Sequence, residues 1–482
     1  MDYKKKVISG SVWGMSQNVL DYSIRFVTGI IIARIVGPEA YGLIAMLTIF
    51  VSVSESLIDG GLSSALIRQP KSSENDYSTV FYFNLFICIC LYIFLWFGAY
   101  PISSFFNEPR LVNILHVYGI VLIINATFVI QRTIYTKKLR FKALSVISIL
   151  ASLVSGIIGV IYAYWGYGVW SLVIQIMSQS VITSLLFWFF GGWKPKFIFD
   201  YNSFKSLFSF GIGILGSSII GKLYKEINKM LIGRFLGSIE LGYYAKANSF
   251  SDMPCANINM VVSKVSYPIL SELQDDYDRF RSGYVKILIT TFYISVSSCI
   301  LLAIISEPLI SITLGEKWER ISSYIPILCI AGILYPLQSV NQNLLSVKGK
   351  SNLIFLITCI DFFLRLVILL ITLPYGIVCM LWGLVLISVL EYFLCSFWSG
   401  LYIKYGLVKQ IYDILPTLIK SGLVGYLVYF LCSYFQTNNY CLITLQISVY
   451  ILLTVILGEL THDKGYFYLR EIVKPYFDKY RN

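Results

Sequence analysis

Apolar residues in this sequence come in blocks of about 20, and few folds can use blocks of that length. A helix rises about 1.5 Å per residue, so 20 residues cross the roughly 30 Å of a bilayer's hydrocarbon. Backbone polar groups find no water there, so the crossing elements must satisfy their own hydrogen bonds, as helices do. Composition agrees. Of 482 residues, 57% are hydrophobic and 13% charged, against roughly 25% charged in soluble domains. Mean hydropathy is +0.73. The expected fold is an all-α, polytopic membrane protein of about fourteen transmembrane helices.

The spans are expected near 11–36, 41–66, 77–100, 111–135, 143–165, 168–190, 205–235, 240–270, 282–306, 322–346, 351–373, 376–402, 411–435 and 440–460. The eighth is expected to break at Met253-Pro254. Lys4, Lys5 and Lys6 precede the first block without a small-residue cleavage site, so that block reads as a retained anchor. With fourteen spans, 23 lysines and arginines fall on the side of the termini. The opposite side holds five, Arg34, Arg110, Arg234, Lys317 and Arg320. The positive-inside rule then puts both termini in the cytoplasm. The connections on the opposite side are short, which leaves no room for an external domain.

A repeat organises the list of spans. Ile32-Ala33-Arg34-Ile35-Val36-Gly37 and Tyr41-Gly42 return as Ile232-Gly233-Arg234-Phe235-Leu236-Gly237 and Leu241-Gly242, 200 residues on. Tyr167-Gly168 returns as Tyr375-Gly376. The R-x-x-G element reads as a helix end, with arginine on the last carbonyls and glycine as a left-handed cap. Matching the turns gives two lobes of six helices, 1–200 and 201–403. An even number of spans per lobe makes the repeat parallel. Residues 404–482 hold two further helices and a cytoplasmic tail.

Ionisable groups within a bilayer cost roughly 2.5–3.5 kcal/mol each and so face a partner or a cavity. In span one Asn18, Asp21 and Arg25 share a face, and Asp21 and Arg25 can pair at i,i+4. In span seven Lys222, Lys225, Glu226 and Lys229 form a stripe two turns long with net positive charge. In spans eleven and twelve lie Asp361, Arg365 and Glu391. Glu55 and Asp59, near the inner end of span two, read as interfacial. A cationic cavity suits an anion such as phosphate or pyrophosphate, and Arg25, Lys222, Lys225 and Lys229 are its candidate residues. Asp21, Glu226, Asp361, Arg365 and Glu391 are candidates either for coupling to an H+ or Na+ gradient or for structural pairing. The aromatics suit interfacial belts first and sugar stacking second.

Other chemistries find no residues. His116 and His462 belong to no triad, and there is no P-loop, no G-x-S-x-G and no D-x-D that could hold a metal–nucleotide pair. The ten cysteines are scattered without a C-x-x-C pair, so they read as small buried hydrophobes, with no metal site or cofactor expected. No basic stripe with interleaved aromatics suggests nucleic acid. A transporter rather than an enzyme is expected.

Three segments carry a family resemblance. They are Ser9-Gly10-Ser11-Val12-Trp13-Gly14, Ile32-Ala33-Arg34-Ile35-Val36-Gly37-Pro38-Glu39-Ala40-Tyr41-Gly42 and Asp59-Gly60-Gly61-Leu62-Ser63-Ser64-Ala65-Leu66-Ile67. The chain resembles bacterial polysaccharide flippases of the O-antigen, colanic-acid and teichuronic-acid type, in the multidrug/oligosaccharidyl-lipid/polysaccharide exporter superfamily. The resemblance implies movement of an undecaprenyl-pyrophosphate-linked oligosaccharide to the outer leaflet by alternating access. It also implies membrane lipids, a polysaccharide polymerase and a chain-length regulator as partners. By position, Arg25, Lys222, Lys225 and Lys229 would meet the pyrophosphate. A peptidoglycan-precursor flippase and a polytopic polysaccharide polymerase are the alternatives. Short outer loops weigh against the polymerase. The lysine stripe weighs against a drug–cation antiporter.

Overall fold

The computed structural model describes residues 20–434 and 438–481. Lys4, Lys5, Lys6, the 9–14 segment and Asn18 lie outside them. All regular structure among the described residues is helical. Eleven helices are long and apolar enough to cross a membrane, or twelve when the bent pair Leu111–Ala126 and Val129–Lys137 counts as one span. Two features separate this number from the expected fourteen. The element Tyr201–Glu272 runs for 72 residues and holds both expected spans seven and eight. It would be roughly 108 Å long if straight, far more than one crossing. The first helix, 20–36, begins at the edge of the described residues.

The long element breaks at Gly237 (φ 84°, ψ −178°), its one non-helical residue. Pro254 does not break it, contrary to the sequence expectation, and neither does Pro268. Proline removes one N–H, and membrane helices absorb that loss through neighbouring helices and local adjustment. The fourth expected span is instead broken, into Leu111–Tyr118, Ile120–Ala126 and Val129–Lys137. The tenth is likewise divided, into Tyr324–Ile333 and Tyr335–Val347.

The chain divides into two compact units, residues 1–242 and 243–482. Residues 201–242 thus fall with the first. In that unit, Leu62, Leu66, Tyr77, Phe81, Ile130, Trp193 and Leu207 form a buried cluster. Trp193 Nε1 donates to Glu74 at 3.0 Å, which satisfies the one polar atom of the ring. In the second unit Ile304, Val424, Val428, Cys432 and Tyr450 form a cluster of their own.

The repeat is written into backbone geometry. Gly37 has φ 90° and ψ 176°, almost the values of Gly237. This is extended backbone at positive φ, open only to glycine, rather than the left-handed cap expected. Gly37 in fact precedes the helix Pro38–Asp59, with Pro38 at its first turn. Gly42 and Gly242 make reciprocal contacts. A Cβ on Gly42 would come within 2.6 Å of the Ser238 carbonyl carbon, and one on Gly242 within 2.6 Å of the Pro38 carbonyl carbon. Such exchange of equivalent contacts is what a local two-fold relation produces. Arg234 does not cap its own helix. Its Nη1 donates to the Phe105 carbonyl at 2.6 Å, and its guanidinium lies over the Phe105 ring. It therefore caps the last turn of Glu74–Phe106.

Candidate functional site

The polar groups of the first unit gather where the 201–236 helix passes Pro38–Asp59. Gly211 meets Gly60 and Gly61 there with backbone against backbone, leaving no room for a Cβ. Small residues allow such close approach between membrane helices, where packing rather than water drives association. Lys222 Nζ stands 3.6 Å from the Glu55 carboxylate. Asn125 Nδ2 donates to the same carboxylate at 3.3 Å. Glu55 is thus drawn into the lysine stripe, contrary to its interfacial reading. The pair is partly exposed, so its net contribution is about 1 kcal/mol or less.

Each cation of the predicted set can be placed. Lys229 pairs with Glu226 at 2.9 Å along one helix face. Arg25 Nε donates to Asp21 at 3.1 Å, with half of the arginine side chain exposed. Asp21 also accepts from Ser152 Oγ, and Gln179 Nε2 donates to Ser152 at 3.3 Å. Lys225 is exposed and has no ion-pair partner among the described residues. Counting 1.5 Å per residue back from Gly237, Lys225 lies roughly 18 Å below the turn, near mid-membrane depth. Of these four cations, Lys222, Lys229 and Arg25 each have an acid beside them, and Lys225 has no ion-pair partner among the described residues.

Beside this group is a cavity of about 390 Å³, lined by Glu55, Asp59, Asn125, Arg132, Thr133 and Thr136 among others. Asp59 accepts from Ser63 Oγ, and Thr133 Oγ1 donates to Ser63 at 3.0 Å. Asn125, Arg132 and Thr133 were missed by sequence reading. They sit on the broken fourth span, whose bend no hydropathy window reports.

In the second unit Arg365 Nη2 lies 3.4 Å from Asp361, with both side chains largely buried. Glu391 lies on the next helix, Ile377–Ile403. This is a separate cluster from the lysine stripe.

Other sequence candidates resolve as packing. His116 stacks on Trp96 with ring centroids 3.7 Å apart, and its Nε2 meets the Trp96 carbonyl. His462 stacks on Phe467. Six cysteines are buried, but Cys90, Cys359 and Cys441 are exposed, which corrects the reading of all ten as buried. Cys255 and Cys299 bring their sulfurs within 3.4 Å, a contact that spacing did not reveal. Among the described residues no group of three or more His, Cys, Asp or Glu is arranged to hold a metal ion.

A family model described as "Polysaccharide biosynthesis protein" matches residues 31–323. The teichuronic acid biosynthesis protein TuaB of Bacillus subtilis (strain 168) is 26% identical over 359 residues, 73% of each chain. The lipopolysaccharide biosynthesis protein WzxC of Escherichia coli (strain K12) is 24% identical over 74% of this chain and 73% of its own. Among solved structures, the lipid II flippase MurJ in an inward closed conformation superposes with a TM-score of 0.74. That match covers 94% of this chain and 99% of the other at 16% identity, which establishes a shared fold.

Proposed function

From the premise that the chain belongs to the polysaccharide biosynthesis protein family, we propose that it is a flippase for a lipid-linked oligosaccharide. It moves an undecaprenyl-pyrophosphate-linked glycan from the inner to the outer leaflet of the bacterial cytoplasmic membrane, for surface polysaccharide biosynthesis. It works by alternating access and is a transporter, not an enzyme. Both termini are cytoplasmic, as the bias of lysine and arginine favours.

The observation that carries this reading is the free ammonium of Lys225. Lys222, Lys229 and Arg25 each have an acid beside them, and Lys225 has none among the described residues. An unpaired cation at mid-depth is costly unless an anion visits it. A pyrophosphate supplies that anion, and the hydrogen bonds it accepts are charge-assisted. Lys222 and Lys229, on the same helix, and Arg25 of the first helix are further candidate contacts whose acids can be displaced.

Ion coupling, to H+ or Na+, belongs to the two-carboxylate cluster of Asp361, Arg365 and Glu391, with Asp21 and Glu226 as the first unit's acids. A polysaccharide polymerase and a chain-length regulator receive the product at the outer leaflet.

The test is accumulation. Cells carrying Lys225→Ala should retain lipid-linked oligosaccharide on the inner leaflet, while the protein inserts at normal abundance. Normal export by Lys225→Ala and Arg25→Ala alike would overturn the cationic site.

A further inference from the structure

The cavity of about 390 Å³ in the first unit has a wall at each of two levels. Glu55 lines one part of it and stands beside Lys222 of the stripe. Thr136 lines another part and immediately precedes Lys137. Lys137 Nζ donates to the carbonyls of Leu66 and Gln69 at 2.8 and 2.6 Å, at the end of the helix Leu62–Arg68. That is the end which the bias of lysine and arginine makes cytoplasmic. The cavity thus joins the inner edge of the unit to the stripe.

Most of the polar wall is tied to itself. Asn125 Nδ2 donates to Glu55 at 3.3 Å, and Thr133 Oγ1 donates to Ser63 at 3.0 Å. Ser63 Oγ donates to Asp59, and Thr136 Oγ1 donates to the Arg132 carbonyl at 2.9 Å. The Arg132 guanidinium lines the cavity, is exposed there, and has no hydrogen-bond or ion-pair partner among the described residues. Its planar fork of N–H donors matches the oxygens of a phosphate.

An exposed arginine alone would only be a solvated helix end. Asp59 supplies the second feature. It lines the same cavity but makes no ion pair with Arg132, so an acceptor and a donor of opposite charge are held apart across one space. Asp59 accepts from Ser63 and keeps lone pairs for another donor. A bare anion meets the repulsion of Asp59, and a bare cation meets that of Arg132. A neutral sugar leaves the guanidinium unused. A ligand with a phosphate and a neighbouring hydroxyl satisfies both groups. Ile58, Phe128 and Val129 give an apolar wall for the carbon face of a sugar ring. The volume suits a ligand of that size.

We propose that this cavity docks the phosphate-linked first sugar of the glycan at the inner leaflet, with Arg132 donating to the phosphate and a sugar hydroxyl donating to Asp59. The inference rests on the flippase reading and adds an entry site to it. Arg132 lies roughly 7 Å along its helix from Lys137, so it meets the headgroup near the inner surface, and Lys225 meets it at mid-depth.

Glucose 1-phosphate is the probe, titrated calorimetrically into the purified full-length chain in detergent, with inorganic phosphate and glucose as controls. The parent should bind it saturably, about tenfold more tightly than either control. Arg132→Gln should weaken that binding about tenfold. Arg132→Lys should fall between, since an ammonium keeps the charge and loses the fork, and it serves as the second variant should the first unfold. Asp59→Ala should lower the preference for glucose 1-phosphate over inorganic phosphate several-fold. The Arg132 effect should persist in a Lys225→Ala background. Blocked export by Lys225→Ala alongside binding that ignores Arg132 would overturn the entry site alone. Arg132-dependent binding alongside normal export by Lys225→Ala would overturn the mid-depth site alone. The proposal falls if glucose 1-phosphate does not bind, if inorganic phosphate binds as tightly, or if the Arg132 and Asp59 variants bind like the parent.

Discussion

Lys222 Nζ sits 3.6 Å from a carboxylate oxygen of Glu55, and this one pairing changes how the whole stripe reads. Glu55 belongs to Pro38–Asp59 and Lys222 to the 201–236 helix. With Glu226 on Lys229, Lys225 is left without an ion-pair partner among the described residues.

Lys225→Ala should cut transport of the lipid-linked glycan by roughly 10–100-fold, the value of one charge-assisted contact of about 1.5–3 kcal/mol. Lys225→Arg should retain most of it. Flux into the outer leaflet of reconstituted vesicles gives the measurement. Equal flux for Ala and Arg variants would show that charge at this position is idle.

Glu55→Gln frees the Lys222 ammonium. The expected outcome is binding of a pyrophosphate-bearing lipid a few-fold tighter than in the parent, with Lys222→Gln weaker. The double variant should match Lys222→Gln alone, because Glu55 acts through Lys222. A double-mutant cycle on binding separates this from two independent effects. The coupling in stability should be about 1 kcal/mol or less, since both side chains are partly exposed.

Gly42→Ala should destabilise the first unit by about 1–3 kcal/mol, through overpacking against the Ser238 carbonyl. Gly242→Ala should do the same against Pro38. Combined, the two should cost less than their sum, since one displacement of the crossing helices relieves both clashes. Thermal unfolding in detergent reads all three. Strict additivity would contradict the reciprocal contact.

Arg234→Ala loses the hydrogen bond to the Phe105 carbonyl and the contact with its ring. A cost of about 1–3 kcal/mol is expected, with Arg234→Lys intermediate because an ammonium can reach the carbonyl but cannot stack. Hydrogen exchange at the end of Glu74–Phe106 should rise in the alanine variant and stay unchanged elsewhere in that helix.

Much of the fold was legible because membrane helices are local objects. Block length gave the crossings, and the repeated arginine and glycines gave the relation between turns. Gly37 and Gly237 then adopt the same rare backbone conformation. The bends were not legible. The 40° turn between Leu111–Ala126 and Val129–Lys137 falls inside a single expected span. Pro254, the obvious breaker, leaves its helix intact. Whether a proline kinks a helix depends on what packs beside it, which lies elsewhere in the chain.

Sequence by itself determined that this chain is a bundle of apolar helices, that its lysines cluster on one face of the seventh span, and that Asp21 pairs with Arg25 and Asp361 with Arg365. Those pairs are four residues apart on one helix, so helical geometry alone brings them together. Tertiary structure decided which cation is left over. Glu55 reaches Lys222 only because glycines at 60, 61 and 211 let two helices touch, and Arg234 reaches Phe105 only across a helix boundary. Pairing between distant residues depends on helix rotation and crossing, and no periodicity in a single segment encodes either.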